Sequence, residues 1–369
     1  SSDEDAINDI AASSSGNEIY ITGYTFSNVN STVQFPYKCP GTVGGYCKPT
    51  PPAQYSVSAF IAKFNNSGGQ LWSTLIIGAS PFNSNTGKSI SVNSAGDVYI
   101  VGTGDCPLKQ QGAGFYQTTP GGCFIVGFQS NTIQFWGTYY GGTTQTIPAH
   151  IECIANDRIM IVGKTESATG MSPLTPSAFN YYQPNLNGTR DGFFAIFNQN
   201  SSPYWISYFG GSGIDEITSC DANTNSIVIC GVSVPPVSGF PFQNNGGYFQ
   251  NGPLSLGEQG FITEFKLATS NTGVVYYKLN WSTLFNGTGV SRSSAISIGQ
   301  NGYIALAGHT NDVGSFPLVN PGAPFYFDNL IGTSSNADAF IALFDLERFV
   351  LWCTLYGANN ALENEGASD

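Results

Sequence analysis

Short, mainly apolar runs recur along this chain at nearly regular intervals. The clearest is a segment that ends in glycine, and it occurs five times, at Ile19–Gly23, Val98–Gly102, Ile159–Gly163, Ile227–Gly231 and Ile304–Gly308. Apolar residues fill consecutive positions in these runs, which predicts β-strands that are covered on both faces. A shorter stretch such as Ile90–Val92 precedes the run, and a Gly-containing turn such as Ser94–Asp97 joins the two as a tight hairpin.

Two aromatic features follow each run. The first is a Phe-x-x-x-Phe segment, at Phe60–Phe64, Phe124–Phe128, Phe193–Phe197, Phe261–Phe265 and Phe340–Phe344. The second is a single tryptophan, at Trp72, Trp136, Trp205, Trp281 and Trp352, with spacings of 64, 69, 76 and 71 residues. Because three features recur five times in one order, the sequence predicts a repeat array. We expect each tryptophan to hold the same place on an outer strand, packed between neighbouring sheets.

Each repeat therefore contains four predicted strands, labelled A to D. Four-stranded antiparallel sheets stacked radially between like sheets cover both faces of every strand, and this is the arrangement of a β-propeller. We predict an all-β β-propeller as a single domain over 1–369, either five-bladed or part of a larger propeller. The predicted repeats span 1–78, 79–142, 143–211, 212–287 and 288–358, and 359–369 are a tail or the start of a following repeat.

Several of these motifs resemble the SBBP-type β-propeller repeat. They are Ile19–Thr25, the Phe-Pro pairs at 35–36, 241–242 and 316–317, Asp338–Ala342 and Tyr208–Gly213. The resemblance covers all five repeats and implies a secreted or surface protein. The family has no shared catalytic residues, so the resemblance assigns none here. The chain differs from the seven-bladed family in showing five repeats, and repeats 2 and 3 lack Phe-Pro.

The charge of the chain argues against several classes of partner. Charged residues make up 10% of the sequence, the formal net charge is −12, and Lys and Arg together number 12. Nucleic acids and anionic membrane surfaces both require clustered cations, so we expect neither as a partner. There is also no apolar run long enough to predict membrane insertion. The first five residues contain neither Met nor a signal peptide, which indicates a mature or excised N-terminus.

Cysteines and glycosylation motifs favour an extracellular location. The chain has 8 Cys, and we predict disulfides between Cys39 and Cys47 and between Cys106 and Cys123, against the alternative of reduced, buried thiols. A further bridge between Cys153 and Cys220 is a weaker expectation. Six N-x-[ST] motifs predict glycosylation at Asn30, Asn65, Asn187, Asn200, Asn280 and Asn286.

The sequence offers little that predicts catalysis or metal binding. We expect no zinc site, because His309 occupies the repeat position of Tyr24 and His150 is not part of a full set of His and Cys ligands. Asn85–Ser89 lacks the first glycine of a phosphate loop. Glu152 and Asp221 are candidate channel carboxylates of a glycosidase-like site, without a clear third partner. Carboxylates just before strand A could bind Ca²⁺, although capping or solvation is the favoured role; they are Asp3–Asp5, Asp215–Glu216, Glu363 and Glu365. We therefore predict no catalytic residue, no cofactor and no metal.

Two functions remain. The first is a non-enzymatic structural or adhesive module of a cell-surface or filamentous assembly, and the second is a carbohydrate-binding, lectin-like propeller. Aromatic segments between strands B and C, such as Phe179–Tyr182 and Phe325–Phe327, suit contacts with protein subunits or surface glycans, or fold back locally over the sheet. From the strand-B glycine to the strand-C phenylalanine these links span 22 to 37 residues. Such irregular loops favour the structural role, because a lectin with equivalent sites needs similar loops.

Overall fold

The computed structural model describes residues 4–26, 35–48, 57–78, 84–109, 116–312, 314–330 and 337–357. These residues form five four-stranded antiparallel sheets, each with its strands in sequential order. The first two sheets contain β1 (Asp5–Ala12), β2 (Glu18–Thr25), β3 (Ser58–Asn65), β4 (Gln70–Ile76), β5 (Thr86–Val92), β6 (Val98–Thr103), β7 (Cys123–Phe128) and β8 (Gln134–Tyr140). The third contains β9 (Thr146–Ile154), β10 (Arg158–Thr165), β11 (Asp191–Asn198) and β12 (Pro203–Phe209). The last two contain β13 (Ile214–Ala222), β14 (Ser226–Val234), β15 (Gln259–Thr269), β16 (Val275–Leu284), β17 (Ser291–Ile298), β18 (Ile304–Thr310), β19 (Asp338–Phe344) and β20 (Val350–Tyr356).

Each predicted repeat contains one of these sheets, and the four strands occur where the hydrophobic pattern placed them. In the second and fourth sheets strand B is buried on both faces, as its apolar run predicts, and all but the last residue of β6 and of β14 are buried. Along β18 of the fifth sheet, buried residues alternate with partly or fully exposed ones. In the A–B hairpins of the first, second and fifth sheets a glycine reaches the left-handed region, as Gly96 does with a φ of 82°. In the third sheet Asn156 and Asp157 take this conformation.

Two β-bulges recur at equivalent places in the sheets. In strand A the register shifts at Asn8, Lys88, Thr218 and Ser294. In strand D an extra residue precedes the tryptophan, at Leu71, Phe135, Asn280 and Leu351. A bulge rotates the following side chains relative to a regular strand. The repetition therefore extends to the backbone, beyond the hydrophobic pattern.

The chain divides into two compact units, and the third sheet has residues in both. In the first unit, β1, β2 and β3 lie against β5, and β5, β6 and β7 lie against β9. In the second unit, β13, β14 and β15 lie against β17. At these three junctions the first strand of the following sheet thus covers three strands of the sheet before it. Buried clusters accordingly combine residues of two successive sheets.

The tryptophan of one sheet packs against the second phenylalanine of the Phe-x-x-x-Phe segment in the next sheet. The four ring pairs are Trp72–Phe128, Trp136–Phe197, Trp205–Phe265 and Trp281–Phe344, with centroids 5.2, 6.1, 5.4 and 5.3 Å apart. These distances lie in the range for favourable aromatic pairs. The two sequence features are therefore the two halves of one contact between sheets. All five tryptophans lie on the fourth strand of their sheet, at its edge, and four of them pack against the next sheet.

The loop between strands B and C, called the B–C loop below, is fastened to the outer strand of its own sheet. A loop residue forms an antiparallel bridge to the residue after each tryptophan, in the pairs Lys38–Ser73, Lys109–Gly137, Leu174–Ile206, Gln243–Ser282 and Val319–Cys353. The hydroxyl two residues after each tryptophan accepts a loop N–H at 2.7 to 3.0 Å; these hydroxyls belong to Thr74, Thr138, Ser207, Thr283 and Thr354. The loop thus covers strand D, which is the edge of each sheet and would otherwise expose unpaired backbone groups.

Removing one tryptophan should cost stability in proportion to its burial. Trp205 is fully buried and Trp352 is half-buried, although both donate the indole N–H to a loop carbonyl. We expect Trp205→Ala to lower the free energy of unfolding by roughly 3–5 kcal/mol, the usual range for buried large aromatics. Trp352→Ala is the matched control and should lower the free energy of unfolding clearly less, because this side chain is only half-buried. Urea unfolding of both variants measures this, and equal losses would contradict the packing described here.

Candidate functional site

The first strands of successive sheets are joined by polar contacts that begin at the strand-A bulge. The bulged Asn8 donates its side-chain N–H to the carbonyl oxygen of Gly87, at 2.6 Å. The bulged Thr218 donates its hydroxyl to the carbonyl oxygen of Ser293, at 2.8 Å. Both acceptors immediately precede the bulge of the next sheet. The bulge therefore directs a polar side chain at the neighbouring sheet.

Carboxylates on the same strands continue these contacts. Asp9 accepts hydrogen bonds from the hydroxyl of Ser89 and the following backbone N–H, at 2.6 and 2.7 Å. Asp221 accepts the same pair of bonds from Ser297 and the residue after it, both at 2.8 Å. A single oxygen of each carboxylate binds two donors of the next sheet. Asp9 was not singled out from the sequence, because the bulge that aims it is not visible there.

The candidate channel carboxylates are therefore engaged in holding sheets together. Asp221 has the role just described, and Glu152 accepts a hydrogen bond from Ser91 of the preceding sheet at 3.3 Å. Glu152 belongs to the first compact unit and Asp221 to the second. In the described part of the chain, no group of three or more His, Cys, Asp or Glu is arranged to hold a metal ion.

Buried carboxylates also bind the glycine-rich connections between successive sheets. Asp215 is fully buried and accepts the backbone N–H of Gly211 at 2.8 Å. Burial raises the pKa of Asp215 from its ordinary 3.8 to about 7, and the nearby charge of Asp191 acts in the same direction. Burial also raises the pKa of Asp191, which accepts the backbone N–H groups of Asn187 and Gly188. These two side chains are closed to solvent, so their position fits backbone capping.

At the connection between the fourth and fifth sheets, the pKa of Asp312 is shifted in the opposite direction to those of Asp191 and Asp215. It accepts N–H groups from Gly289, Gly314 and Ser315, at 2.8 to 2.9 Å. Burial acts to raise its pKa, but these hydrogen bonds outweigh it and hold the pKa well below the ordinary value. One structural task, capping the inter-sheet connection, thus produces carboxylates of contrasting acidity.

The carboxylates considered for Ca²⁺ are paired in other ways. Glu216 lies 2.9 Å from Lys164 and 3.4 Å from Arg292, and Arg292 also pairs with Glu258 at 2.9 Å. Glu4 accepts the hydroxyl of Tyr24 at 2.7 Å. Asp3, Glu363 and Glu365 lie outside the described residues. These cation and hydroxyl contacts agree with the favoured capping and solvated roles.

The histidine and phosphate-loop candidates belong to ordinary strand structure. His309 pairs with Arg292 and Ala339 in the fifth sheet. Burial lowers its pKa and the Arg292 charge lowers it further, so the imidazole is neutral near pH 7. His150 lies in β9. Asn85 is buried and accepts the backbone N–H of Asp105 at 2.7 Å, and the residues from Thr86 onward form β5.

A buried ion pair joins the fourth and fifth sheets. Glu264 and Arg348 are 0% and 3% exposed, and two nitrogens of the guanidinium bind both carboxylate oxygens at 2.5 and 3.1 Å. Ser226 and Asn280 donate to the same carboxylate, each at 2.7 Å. Burial acts to raise the pKa of Glu264, but these partners hold it below its ordinary value. Lys63 holds the equivalent strand position in the first sheet and donates to Ser130 of the second, at 3.2 Å.

One of the two predicted disulfides is present and the other is not. Cys39 and Cys47 are bonded within the first B–C loop. The Cys106–Cys123 prediction is wrong, because both residues carry free, buried thiols. Cys123 pairs with Thr103 inside a sheet, whereas the thiol of Cys106 points at the carbonyl of Thr138 at 3.9 Å. Burial raises the pKa of both thiols, which makes them unreactive.

The weaker Cys153–Cys220 expectation is also not met. Cys153 and Cys220 are both thiols in the structure. Burial raises the pKa of Cys153 to about 12. Cysteine positions along the sequence do not report which way each side chain points, so they do not fix the pairing.

The glycosylation motifs fall in contrasting environments. Asn187 and Asn200 are exposed, and Asn65 lies at the start of a C–D turn, half-buried. Asn280 donates to the buried Glu264 as described. Asn286 is 1% exposed, and its amide donates to Gln259 and Gly287, so a glycan there would require the segment to open. Asn30 lies outside the described residues.

The aromatic loop segments are partly buried and partly exposed. Tyr181 packs on Phe194 and Phe265, and its carbonyl accepts the indole N–H of Trp205 at 2.9 Å. Phe179 and Tyr182 on either side are exposed. Equivalent carbonyls bind Trp72, Trp281 and Trp352, and they belong to Tyr46, Tyr248 and Tyr326. In four sheets, therefore, a loop tyrosine lies two residues before the residue whose N–H is bound by the strand-D hydroxyl. Sequence reasoning missed this repeat feature. Its varying distance from the tryptophan hid it.

Comparisons with known proteins give only distant structural likeness. No family model matches the chain, and no curated protein matches it. A solved protein of unknown function from Bacteroides caccae is 8% identical, with 98% of this chain and 86% of that chain covered and a TM-score of 0.38. A Trp149Ala mutant of an apocarotenoid oxygenase from Synechocystis is 8% identical, with 83% and 70% covered and a TM-score of 0.30. Likeness this distant carries no argument about function. In the described residues, no helix is long and apolar enough to cross a membrane.

The buried aspartates predict opposite pH dependences for two matched variants. The pKa of Asp215 is raised to about 7, so its contribution to stability is fully present below pH 3.8 and is lost as the pH rises toward 7. Asp215→Asn should therefore lose less stability, relative to the parent, at pH 8 than at pH 4. The pKa of Asp312 is lowered, so its contribution is present above pH 3.8 and is lost in stronger acid.

The test compares urea midpoints of the parent, Asp215→Asn and Asp312→Asn between pH 3 and pH 8. Asp312→Asn should show its largest loss at the neutral end, opposite to Asp215→Asn. The same trend in both variants would refute the assignment of these two environments.

Proposed function

We propose that this chain is a non-enzymatic structural module of an extracellular assembly, at a cell surface or in a filament. We further propose that its five sheets are blades of a β-propeller of the kind the SBBP-type repeat resemblance implies. In this proposal the B–C loops contact other protein subunits, and glycans, nucleic acids and lipid bilayers are not the targets.

The convergence of the sheets on their first strands supports the propeller. Within each compact unit, a first strand lies against three strands of the preceding sheet, whereas the fourth strands reach the next sheet through the tryptophan. Sheets that are close at one edge and separated at the other are related by rotation about an axis near the close edge. Radial stacking of this kind defines propeller blades.

The state of the B–C loops is the observation that carries the structural role. Each loop is fixed to strand D by a bridge and a hydroxyl cap, yet the loops expose large apolar side chains. The exposed residues are Phe26, Val43, Phe179, Tyr182, Leu254, Leu256, Phe325, Tyr326 and Leu330. Fixed loops lose little conformational entropy on binding, and apolar and aromatic side chains with few charges are typical of interface centres.

Separate observations support two other parts of the proposal, namely that the chain is non-enzymatic and that it is extracellular. The acidic side chains that could act as acid or base bind backbone groups, hydroxyls or cations of neighbouring sheets, as described for Asp9, Asp215 and Asp221. The Cys39–Cys47 disulfide includes an exposed cysteine, and such bonds persist in oxidising compartments. Of the predicted bonds, this one supports the location, since Cys106 and Cys123 are thiols.

Loop variants test the structural role. We expect Leu256→Ser combined with Phe325→Ser to reduce higher-order assembly of the purified protein, because both side chains would be buried in subunit contacts. Leu346→Ser is the control; it removes another exposed apolar residue, from a C–D turn at the opposite end of the strands. Electron microscopy and light scattering of the three proteins measure the assemblies.

A glycan array with the same proteins separates the alternative. If the protein forms no higher-order assembly and binds a defined sugar through these loops, the structural proposal is wrong and the lectin-like function replaces it. If assembly is unchanged in the loop variant, the loops are not the contact surface.

A further inference from the structure

Two segments meet where the third sheet leads into the fourth. They are the end of the third B–C loop, residues 183–191, and the connection to the fourth sheet, residues 210–215; together they are called the loop junction. All of these residues belong to the second compact unit. The carbonyl oxygen of Arg190 accepts the backbone N–H of Asp215 at 2.9 Å. The loop end and the connection are therefore joined directly, and a movement of one affects the other.

Asp191 is the buried acid on the loop side of the junction. It is 0% exposed and accepts the backbone N–H groups of Asn187 and Gly188, at 2.8 and 3.0 Å. The side chain of Gln183 connects it to the other segment, because it donates to Asp191 at 2.8 Å and accepts the backbone N–H of Gly210 at 3.1 Å. The same carboxyl thus holds the loop end and, through Gln183, the connection.

Asp215 is the buried acid on the connection side. Its Oδ2 accepts the backbone N–H of Gly211 at 2.8 Å. Its Oδ1 is buried and has no hydrogen-bond partner among the described residues, and the same is true of the hydroxyl of Ser233, which pairs with Asp215 across β13 and β14. A Cβ built on Gly210 would lie 2.6 Å from Oδ2. The carboxyl is thus enclosed, and water reaches it only if the connection moves.

No cation balances these two acids. In the part of the chain that the structure describes, no Lys or Arg lies within ion-pair distance of either carboxyl. The neighbouring Arg190 pairs with Glu166 instead, at 2.9 Å. The other titratable groups facing the acids are the phenols of Tyr181 and Tyr208, whose pKa values are raised by burial and by the charge of Asp191. Two buried carboxyls in one uncompensated site disfavour a second negative charge.

We propose that the loop junction is a pH-sensitive switch that controls the third B–C loop. When Asp215 is protonated the junction stays closed, whereas the ionised carboxylate needs solvation and opens the junction to water. Opening releases the loop end next to Tyr182, one of the exposed side chains assigned to subunit contacts. A released loop has to be ordered again on binding, so ionisation weakens assembly. The inference rests on the proposed function and deepens it, because it names the regulation of the loop surface.

The working range of the switch follows from the acidity of Asp215. Burial raises its pKa from 3.8 to about 7 in the closed junction, and in the open, hydrated junction we expect the ordinary value. The stabilisation of the closed form is therefore fully present below pH 3.8 and is lost as the pH rises toward 7. Over this range the opening equilibrium increases by up to about tenfold for each pH unit. Mild acid thus favours the closed junction and neutral pH the open one.

Site-resolved hydrogen exchange of the parent at pH 5 and pH 8 tests the switch. After correction for intrinsic exchange rates, the N–H groups of Asn187, Gly188 and Gly211 should be about 10- to 100-fold less protected at pH 8. The N–H groups bound by Asp312 are the internal control; its pKa is lowered, so it stays ionised over this range and their protection should not change. Protection that is independent of pH at the loop junction, or an equal loss at the Asp312 site, would overturn the proposal.

Asp215→Asn keeps an acceptor for Gly211 and removes the charge. At pH 8 the loop junction of this variant should be as protected as that of the parent at pH 5, and a variant that loses protection like the parent would contradict the switch. A second measurement needs no variant: the carboxyl carbon of Asp215 in the parent, observed by ¹³C NMR, should show the protonated form at pH 5. An ionised carboxyl at that pH would also overturn the proposal.

Light scattering of the parent and Asp215→Asn at both pH values tests the regulation. The parent should assemble more weakly at pH 8 than at pH 5, and the variant should lose much less of its assembly. The overall charge changes almost alike in the two proteins, so the difference between them reports on Asp215. If neither protein assembles at either pH, the proposed function is wrong. If the loop variant Leu256→Ser with Phe325→Ser reduces assembly but Asp215→Asn leaves its pH dependence unchanged, this inference alone is wrong.

Discussion

The contact between a tryptophan and a phenylalanine of the next sheet is the interaction on which the rest of this structure depends. Each sheet is narrow, and its strand B is apolar on both faces, so a single sheet cannot keep that surface from water. The tryptophan reaches across the wide edge of the junction, while the first strands meet at the close edge. An aromatic pair contributes roughly 0.5–1.5 kcal/mol beyond its burial. Repetition of the pair at successive junctions makes each sheet depend on its neighbour.

Polar side chains form hydrogen bonds between neighbouring sheets, around these apolar contacts. The strand-A bulge aims Asn8 and Thr218 at the next sheet, and Asp9 and Asp221 bind donors of that sheet. Hydrogen bonds are directional and apolar contacts are not, so these bonds set the register between sheets. Asp215 and Asp312 are likewise held by donors from the fold, in their case the backbone N–H groups of the connections between sheets.

The hydrophobic pattern was sufficient to predict the repeat, the four strands of each sheet and the outer place of the tryptophans. These properties depend on periodicity, which is local in sequence. The bulges were not predictable, because an extra residue changes side-chain direction without changing composition. The Cys106–Cys123 prediction failed for a related reason: nearness in sequence does not bring two side chains together when one lies inside a strand. The tyrosines that accept the tryptophan N–H groups were missed because their distance from the tryptophan along the chain varies.

A double-mutant cycle on Trp281 and Phe344 tests the claim that these ring pairs hold the sheets together. The free energies of unfolding of Trp281→Leu, Phe344→Leu, the double variant and the parent give the coupling between the two side chains. The structure predicts a coupling of about 0.5–1.5 kcal/mol. The pair Trp205 and Phe344, from two different junctions, should be additive within roughly 0.5 kcal/mol. A coupling near zero for Trp281 and Phe344 would contradict the account.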